Sequence, residues 1–300
     1  MSTTQAPKPL VIYHANCIDG FTAAYVFWCK FHDNAEYLAA SYGDEIPNVA
    51  NREVFIVDFS YPIDKMEQII KSADSVTWLD HHAPALIAIR PLSQTYAPMR
   101  FNNLSNINKS GAMLAWEFVG GDEFTLGLVE YVQDMDLGKN ELVASKAVNA
   151  YIASVEFSFR NFGDLETDVT ASLYDTVIPA GEALLRNEAK VVKDLVDNYS
   201  YPIYMDGLYC LVCNAPRYLR NAVCEALCEK RMLDLVNSGL EDNKHTVFAA
   251  TYYIQGFVKT YSLRSLPDGA DVNAIANLYG GGGHKHAAGF TISTAHSFNK

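Results

Sequence analysis

Three short segments concentrate groups that bind cations and move protons. Trp78-Leu79-Asp80-His81-His82 sets a carboxylate and two imidazoles at the end of an apolar run, Val57-Asp58-Phe59-Ser60 closes the run before it, and His14-Ala15-Asn16-Cys17-Ile18-Asp19-Gly20 follows the first. A strand that is apolar on both faces has little structural use for charged side chains at its end, so these groups must find partners. Alone, Asp-His-His reads equally well as a helix N-cap followed by two surface histidines. Three neighbouring strand ends that all carry His and Asp change the balance, because imidazoles and carboxylates converging on one crevice are the donor set of first-row divalent metals. Several carboxylates together suit two ions sharing a solvent molecule, which lower its pKa and clamp the oxygens of a phosphorus centre. The chemistry implied is phosphoester hydrolysis.

A second group lies near the carboxyl end. The glycines at 280 to 283 would by themselves be a flexible turn. Because they lead to His284, His286 and small residues, Gly281, Gly282 and Gly283 allow backbone N–H groups to come close to an anion. Arg264, on a predicted strand end, offers the planar fork that pairs with a phosphate. Together they suggest a pocket for a phosphate end. The tyrosines supply base-stacking candidates, but sequence does not pick one.

The elements that must hold these groups alternate through the first half. PLVIYH, EYLAAS, EVFIVDF and SVTWLD read as strands, and DGFTAAYVFWCKF and PIDKMEQIIKSA as helices between them, with a further helix after LDHH. That order implies βαβ units and a parallel sheet, whose carboxyl ends are where open α/β sheets bind ligands. From about residue 108 the pattern turns helical: KSGAMLAWEFVG with Ser110 as N-cap, FTLGLVEYVQDMDLG, then a long stretch from Ser145 to about Asn198. Strands return with PIYMDGLYCLVC, HTVFAATYYI and GFVKTYSLRS, with helices after Pro216 and over Val272 to Leu278. The expected fold is α/β: a parallel-sheet domain over 1–190, a helical connector, and a smaller α+β domain over 200–300.

These segments resemble the DHH phosphoesterases, the family that includes RecJ-type exonucleases, nanoRNases and dinucleotide phosphodiesterases. HANCIDGFTAA is similar to that family's first motif, VDFS to the second, LDHH to the third and VQDMDLG to the aspartate-bearing fourth. YSLRS and ANLYGGGGHKHAAGF resemble the signature of the DHH-associated C-terminal domain. The resemblance implies metal ligation by His14, Asp19, Asp58, His81 and Asp134, with Asp58 as the bridge. It makes Asp80 and His82 accessory catalytic residues: Asp80 orients a ligand histidine or touches a metal, and His82 faces the phosphate. Arg264, Gly281, Gly282, Gly283, His284 and His286 would bind substrate. In the fourth motif the spacing to Leu-Gly favours Asp134, leaving Asp136 as a turn residue. Where many relatives carry a further aspartate in the first motif this chain has Cys17, either a ligand or packing beneath the turn, so one metal site is expected to be weaker. The cofactor implied is Mn²⁺, two per chain, with Mg²⁺ or Co²⁺ able to substitute.

Composition bounds the partners. The formal charge of -12 over 300 residues, with 49% apolar content, describes a globular chain whose surface repels a long duplex. Short oligonucleotides or dinucleotides held in a local site remain allowed, and a homodimer is allowed for. No apolar run reaches the roughly 18 residues that span a bilayer, and MSTTQAPKPLVIYH lacks the order of a signal peptide, so a cytoplasmic location without membrane partners is expected. The six cysteines are read as thiols: Cys210 and Cys213 fall on opposite sides of one strand, and Cys224 and Cys228 share a helix face as small hydrophobes. The leading reading is a phosphodiesterase that cuts short oligonucleotides or dinucleotides to mononucleotides. Its competitors are a hydrolase of cyclic dinucleotides or 3′,5′-bisphosphate nucleotides, and a nucleotide-binding sensor with reduced turnover.

Overall fold

The computed structural model describes residues 7–294; the first six residues of the opening MSTTQAPKPLVIYH lie outside the described residues. Contacts divide the chain into two units, Met1–Leu185 and Arg186–Lys300.

The first unit begins with β1 (Leu10–His14), α1 (Ile18–Phe31), β2 (Glu36–Ala40), β3 (Glu53–Val57), α2 (Ile63–Ser72), β4 (Ser75–Leu79), α3 (Ala83–Thr95) and β5 (Phe101–Asn103). All five strands are parallel, in the order β2-β1-β3-β4-β5. The near-continuous apolar runs of β1, β3 and β4 follow from burial on both faces. Val11, Phe55, Val57 and Leu79 point into one core, and Ile12, Val54, Ile56, Val76 and Trp78 into the other. Met66, Ile69 and Ile70 of α2 and Ile89 and Leu92 of α3 seal the second face.

The first face is covered by α1 with α4 (Gly111–Val119), α5 (Glu123–Asp136), α6 (Ser145–Ala153) and α7 (Phe159–Ala171). The Ser110 hydroxyl caps α4 by accepting the Met113 amide at 3.3 Å. The long helical stretch expected from Ser145 is broken into α6, α7 and α8 (Ile178–Asn198), with a π-helical turn over Leu173–Val177 before α8. The strand order reverses between β1 and β3: the chain leaves β1 for β2 on one side and returns to β3 on the other. That switch point opens a crevice at the carboxyl ends of these two strands, between His14 and Asp58.

The second unit carries β6 (Ser200–Met205), β7 (Leu208–Asn214), α9 (Arg220–Asn237), β8 (Ala249–Gln255), β9 (Val258–Arg264), α10 (Val272–Leu278), β10 (Gly282–His284) and β11 (Ala287–Ser293). Its sheet has the order β10-β11-β9-β8-β7-β6, antiparallel except for the β7–β8 pair. Cys213 packs under α9 with Cys224 and Cys228, whereas Cys210 faces the α10 side, so the CxxC is divided between two cores. Among the described residues no helix is long and apolar enough to cross a membrane.

Candidate metal centre

The turn after β1 brings the first motif onto the crevice. Asn16 takes a positive φ of 54°, and Cys17 stands at the N-cap of α1. A Cβ on Gly20 would lie 2.6 Å from the His14 carbonyl oxygen, so only glycine lets α1 pack this tightly on the end of β1. Asp19, in the first turn of α1, is 1% exposed. Its Oδ2 accepts the Gly111 amide at 2.6 Å and its Oδ1 the Ala112 amide at 2.8 Å. The free N–H groups and positive dipole end of α4 thus hold this carboxylate in place.

Asp58 follows β3 with φ +52°, a left-handed conformation for which aspartate is one of the better-suited residues. Its amide donates to Leu79 O at 2.8 Å, which ties it to the end of β4. Asp80 comes next on that strand and is fully buried. Its Oδ1 accepts the amides of His81 (2.8 Å) and His82 (3.2 Å) and the His82 Nδ1 proton (2.7 Å). Its Oδ2 accepts the Ser60 hydroxyl, and Ser60 Oγ accepts the Trp78 indole N–H at 3.0 Å. Asp80 is therefore a clamp: it commits His82 Nδ1 and leaves Nε2 as that ring's open nitrogen.

The remaining atoms converge. His81 Nε2 lies 3.1 Å from Asp58 Oδ1, 3.6 Å from Asp19 Oδ2 and 3.4 Å from Asp136 Oδ2, while His14 Nδ1 lies 3.4 Å from Asp58 Oδ2. Two triads result, His14 with Asp58 and His82, and Asp19 with Asp58 and His81, each with donor atoms within 4.8 Å of one another. Asp58 belongs to both.

His14 Nδ1 and Asp58 Oδ2 are buried without a hydrogen bond. Orphaned atoms of this kind are costly unless something supplies a partner, and a divalent cation between nitrogen and oxygen donors does so. The crowding of like charges shows in the protonation equilibria. Burial and the charges of Asp58 and Asp136 push Asp19 well above the ordinary carboxylate range. Burial also raises Asp136, against the pull of His81. Burial would raise Asp58 too, but the imidazoles of His14 and His81 hold its carboxyl below the usual range. Burial disfavours a charged His81, yet Asp58, Asp19 and Asp136 push it up to about 9. Such a cluster of carboxylates and imidazoles is suited to hold divalent cations. Burial and Asp58 raise the Cys17 thiol, and the two groups that could hold an ion among the described residues consist of imidazole nitrogens and carboxylate oxygens.

Asp136, rather than Asp134, joins this cluster. Asp134 is 5% exposed and its carboxylate accepts the amides of Glu141 (2.9 Å) and Leu142 (3.3 Å); burial would raise its pKa, but the Ser145 hydroxyl and these amides hold it below the ordinary carboxylate range. Residues two apart on a helix point about 200° apart, so once α5 packs with Asp136 toward His81, Asp134 faces the loop. His82, read as facing the phosphate, falls with His14 and Asp58.

In the second unit Arg264, Gly281 and Gly282 line one cavity of about 460 Å³, together with Ser262, Gly280 and Gly289. The Arg264 guanidinium rests on Asn221 Oδ1, with Nε at 3.1 Å and Nη2 at 2.9 Å, and its Nη1 donates to Leu263 O at 2.8 Å. Gly283, His284 and His286 are not among the residues lining this cavity. His284 is exposed at the end of β10, and His286 Nδ1 pairs with Ser265 Oγ at 2.9 Å. Sheet packing already demands two of the glycines: a Cβ on Gly281 would lie 2.1 Å from Gly289 O, and one on Gly283 would lie 2.5 Å from Ala287 O.

No family profile matches the chain. An uncharacterized protein of Acanthamoeba polyphaga mimivirus is 25% identical over 305 residues, covering 95% of this chain and 67% of that protein. Among solved structures, the pGpG-specific phosphodiesterase PggH of Vibrio cholerae is similar over 96% of this chain and 94% of that one, at 16% identity and a TM-score of 0.49. An exopolyphosphatase-related protein of Bacteroides fragilis is similar over 95% and 86%, at 12% identity and a TM-score of 0.45. At such identities, what the site does follows from its own residues. The four N-terminal motifs by which the sequence resembles the DHH phosphoesterases meet at one crevice.

Proposed function

We propose that the chain is a metal-dependent phosphodiesterase of the DHH type that cuts short oligonucleotides or dinucleotides to mononucleotides. One observation carries this reading: Asp58 stands at the shared corner of two nitrogen-and-oxygen triads, and its Oδ2 and the facing His14 Nδ1 are buried without a hydrogen bond. His14, Asp58 and His82 would hold one ion, and Asp19, Asp58, His81 and Asp136 the other. Mn²⁺ suits such mixed donors, and Mg²⁺ or Co²⁺ are the natural substitutes. When bound, the pair supplies an activated water and charge stabilisation at phosphorus.

The chain's own residues do the positioning. Asp80 fixes the tautomer of His82, and the amides at the start of α4 fix Asp19. The bend at Asp58 aims its two oxygens at different imidazoles, since His14 faces Oδ2 and His81 faces Oδ1. In the second unit Arg264 and the backbone near Gly281 and Gly282 form a cavity suited to a phosphate of the substrate. A net charge of -12 supports short substrates over long duplexes.

The test is a panel of linear di- to pentanucleotides, cyclic dinucleotides and 3′,5′-bisphosphate nucleotides incubated with Mn²⁺. Mononucleotide release from the short linear substrates is expected. Turnover confined to the cyclic or bisphosphate substrates, or none at all, would overturn the substrate assignment.

A further inference from the structure

The segment that leads from β2 toward β3 is pinned apart from the site. Ser41 N donates to Asp44 Oδ2 at 2.8 Å, Asp44 N to Ser41 O at 3.1 Å, and Lys65 Nζ to Asp44 O at 2.9 Å. Ile46 and Val49 then anchor it in the core beneath α2 and α3. This turn presents Tyr42, which is 61% exposed. Its ring lies 5.6 Å from that of His14 at 69°, and 5.3 Å from that of buried Phe59 at 43°. Phe59 is the residue after Asp58, so Tyr42 leans on the two strand ends that carry His14 and Asp58 of the first triad.

Among the described residues, no other exposed aromatic side chain contacts a histidine ring of the site. Neither fold nor metal binding needs it there: Phe59 already closes the core, and most of the tyrosine surface stays open to solvent. A ring with two side-chain torsions, buttressed on a fixed turn, loses little entropy when a planar ligand covers it.

We propose that Tyr42 is the stacking platform for the base of the nucleotide whose phosphate is held at the metal centre. The substrate would then be a nucleotide ester rather than a polyphosphate or a sugar phosphate, which have no planar ring to place there. This inference rests on the phosphoester reading above and adds the group that the site recognises.

The experiment is a calorimetric titration of the Mn²⁺-loaded protein with adenosine 5′-monophosphate and, separately, with inorganic phosphate. Stacking on one aromatic ring is worth about 10- to 100-fold in affinity. Tyr42→Leu should therefore weaken binding of the nucleotide by that factor and leave phosphate binding unchanged, while Tyr42→Phe keeps both. With a linear dinucleotide, Tyr42→Leu should raise KM far more than it lowers kcat. A leucine variant that binds the nucleotide like the original protein, or loses nucleotide and phosphate equally, would overturn the role of Tyr42. A native protein that takes up Mn²⁺ but binds neither ligand would instead overturn the phosphoester reading beneath it.

Discussion

Asp80 Oδ1 accepts the His82 Nδ1 proton at 2.7 Å, from a carboxylate with no exposed surface. Such a pair sets which ring nitrogen is open and raises its basicity, and losing the carboxylate typically costs about 10- to 100-fold in metal affinity. Asp80→Asn, which keeps the shape but removes the charge, should weaken Mn²⁺ binding by that factor in equilibrium dialysis. Unchanged affinity would mean that His82 does not bind through Nε2.

Asp134 and Asp136 should part company when each is replaced. Asp134→Ala leaves the amides of Glu141 and Leu142 without their acceptor, so about 1 to 3 kcal/mol of stability should be lost in urea unfolding of the metal-free protein. Asp136→Asn removes a carboxylate from a cluster of like charges, so metal-free stability should hold or rise while Mn²⁺ affinity falls. The reverse pattern would restore Asp134 as the ligand.

Much of this was legible before the structure, and the misses have a common physical cause. The apolar runs of β1, β3 and β4 read as buried strands, and a parallel sheet puts the ends of such strands together, so the meeting of His14, Asp58 and Asp80–His82 is legible in local sequence. Choosing between Asp134 and Asp136 required the rotation of α5 about its axis, which packing sets and a two-residue spacing cannot. The glycine run read as an anion cradle is in part a packing requirement, visible only once Gly281 is seen against the Gly289 carbonyl. Tyr42 carries no motif at all; its place beside His14 comes from β2 lying at the edge of the sheet next to β1.

Gly111 is another residue that no local pattern marks, since it meets Asp19 from 92 positions away. A Cβ there would lie 2.4 Å from Asp58 Cβ and 3.1 Å from Asp19 Oδ2. Gly111→Ala should cost about 1 to 3 kcal/mol through overpacking and also weaken metal binding, because it displaces two carboxylates at once. Native Mn²⁺ affinity in this variant, measured by dialysis, would show that α4 does not position the site.

Arg264 belongs to the other unit, so its loss should leave the metals alone. A charge-assisted contact of about 1.5 to 3 kcal/mol gives Arg264→Ala roughly a ten- to hundredfold loss in kcat/KM. The loss should be largest for dinucleotides, which have few other phosphates to hold. Normal hydrolysis of dinucleotides, or loss of bound metal, would count against the role of Arg264.

If one carboxylate, Asp58, joins two metal sites, Mn²⁺ titration followed by electron paramagnetic resonance should reveal it. Two ions per chain with the spectrum of a coupled pair are expected, with loss of both strong binding and coupling in Asp58→Asn. A single isolated ion in the native protein, or two ions retained with their coupling in the Asp58 variant, would contradict it.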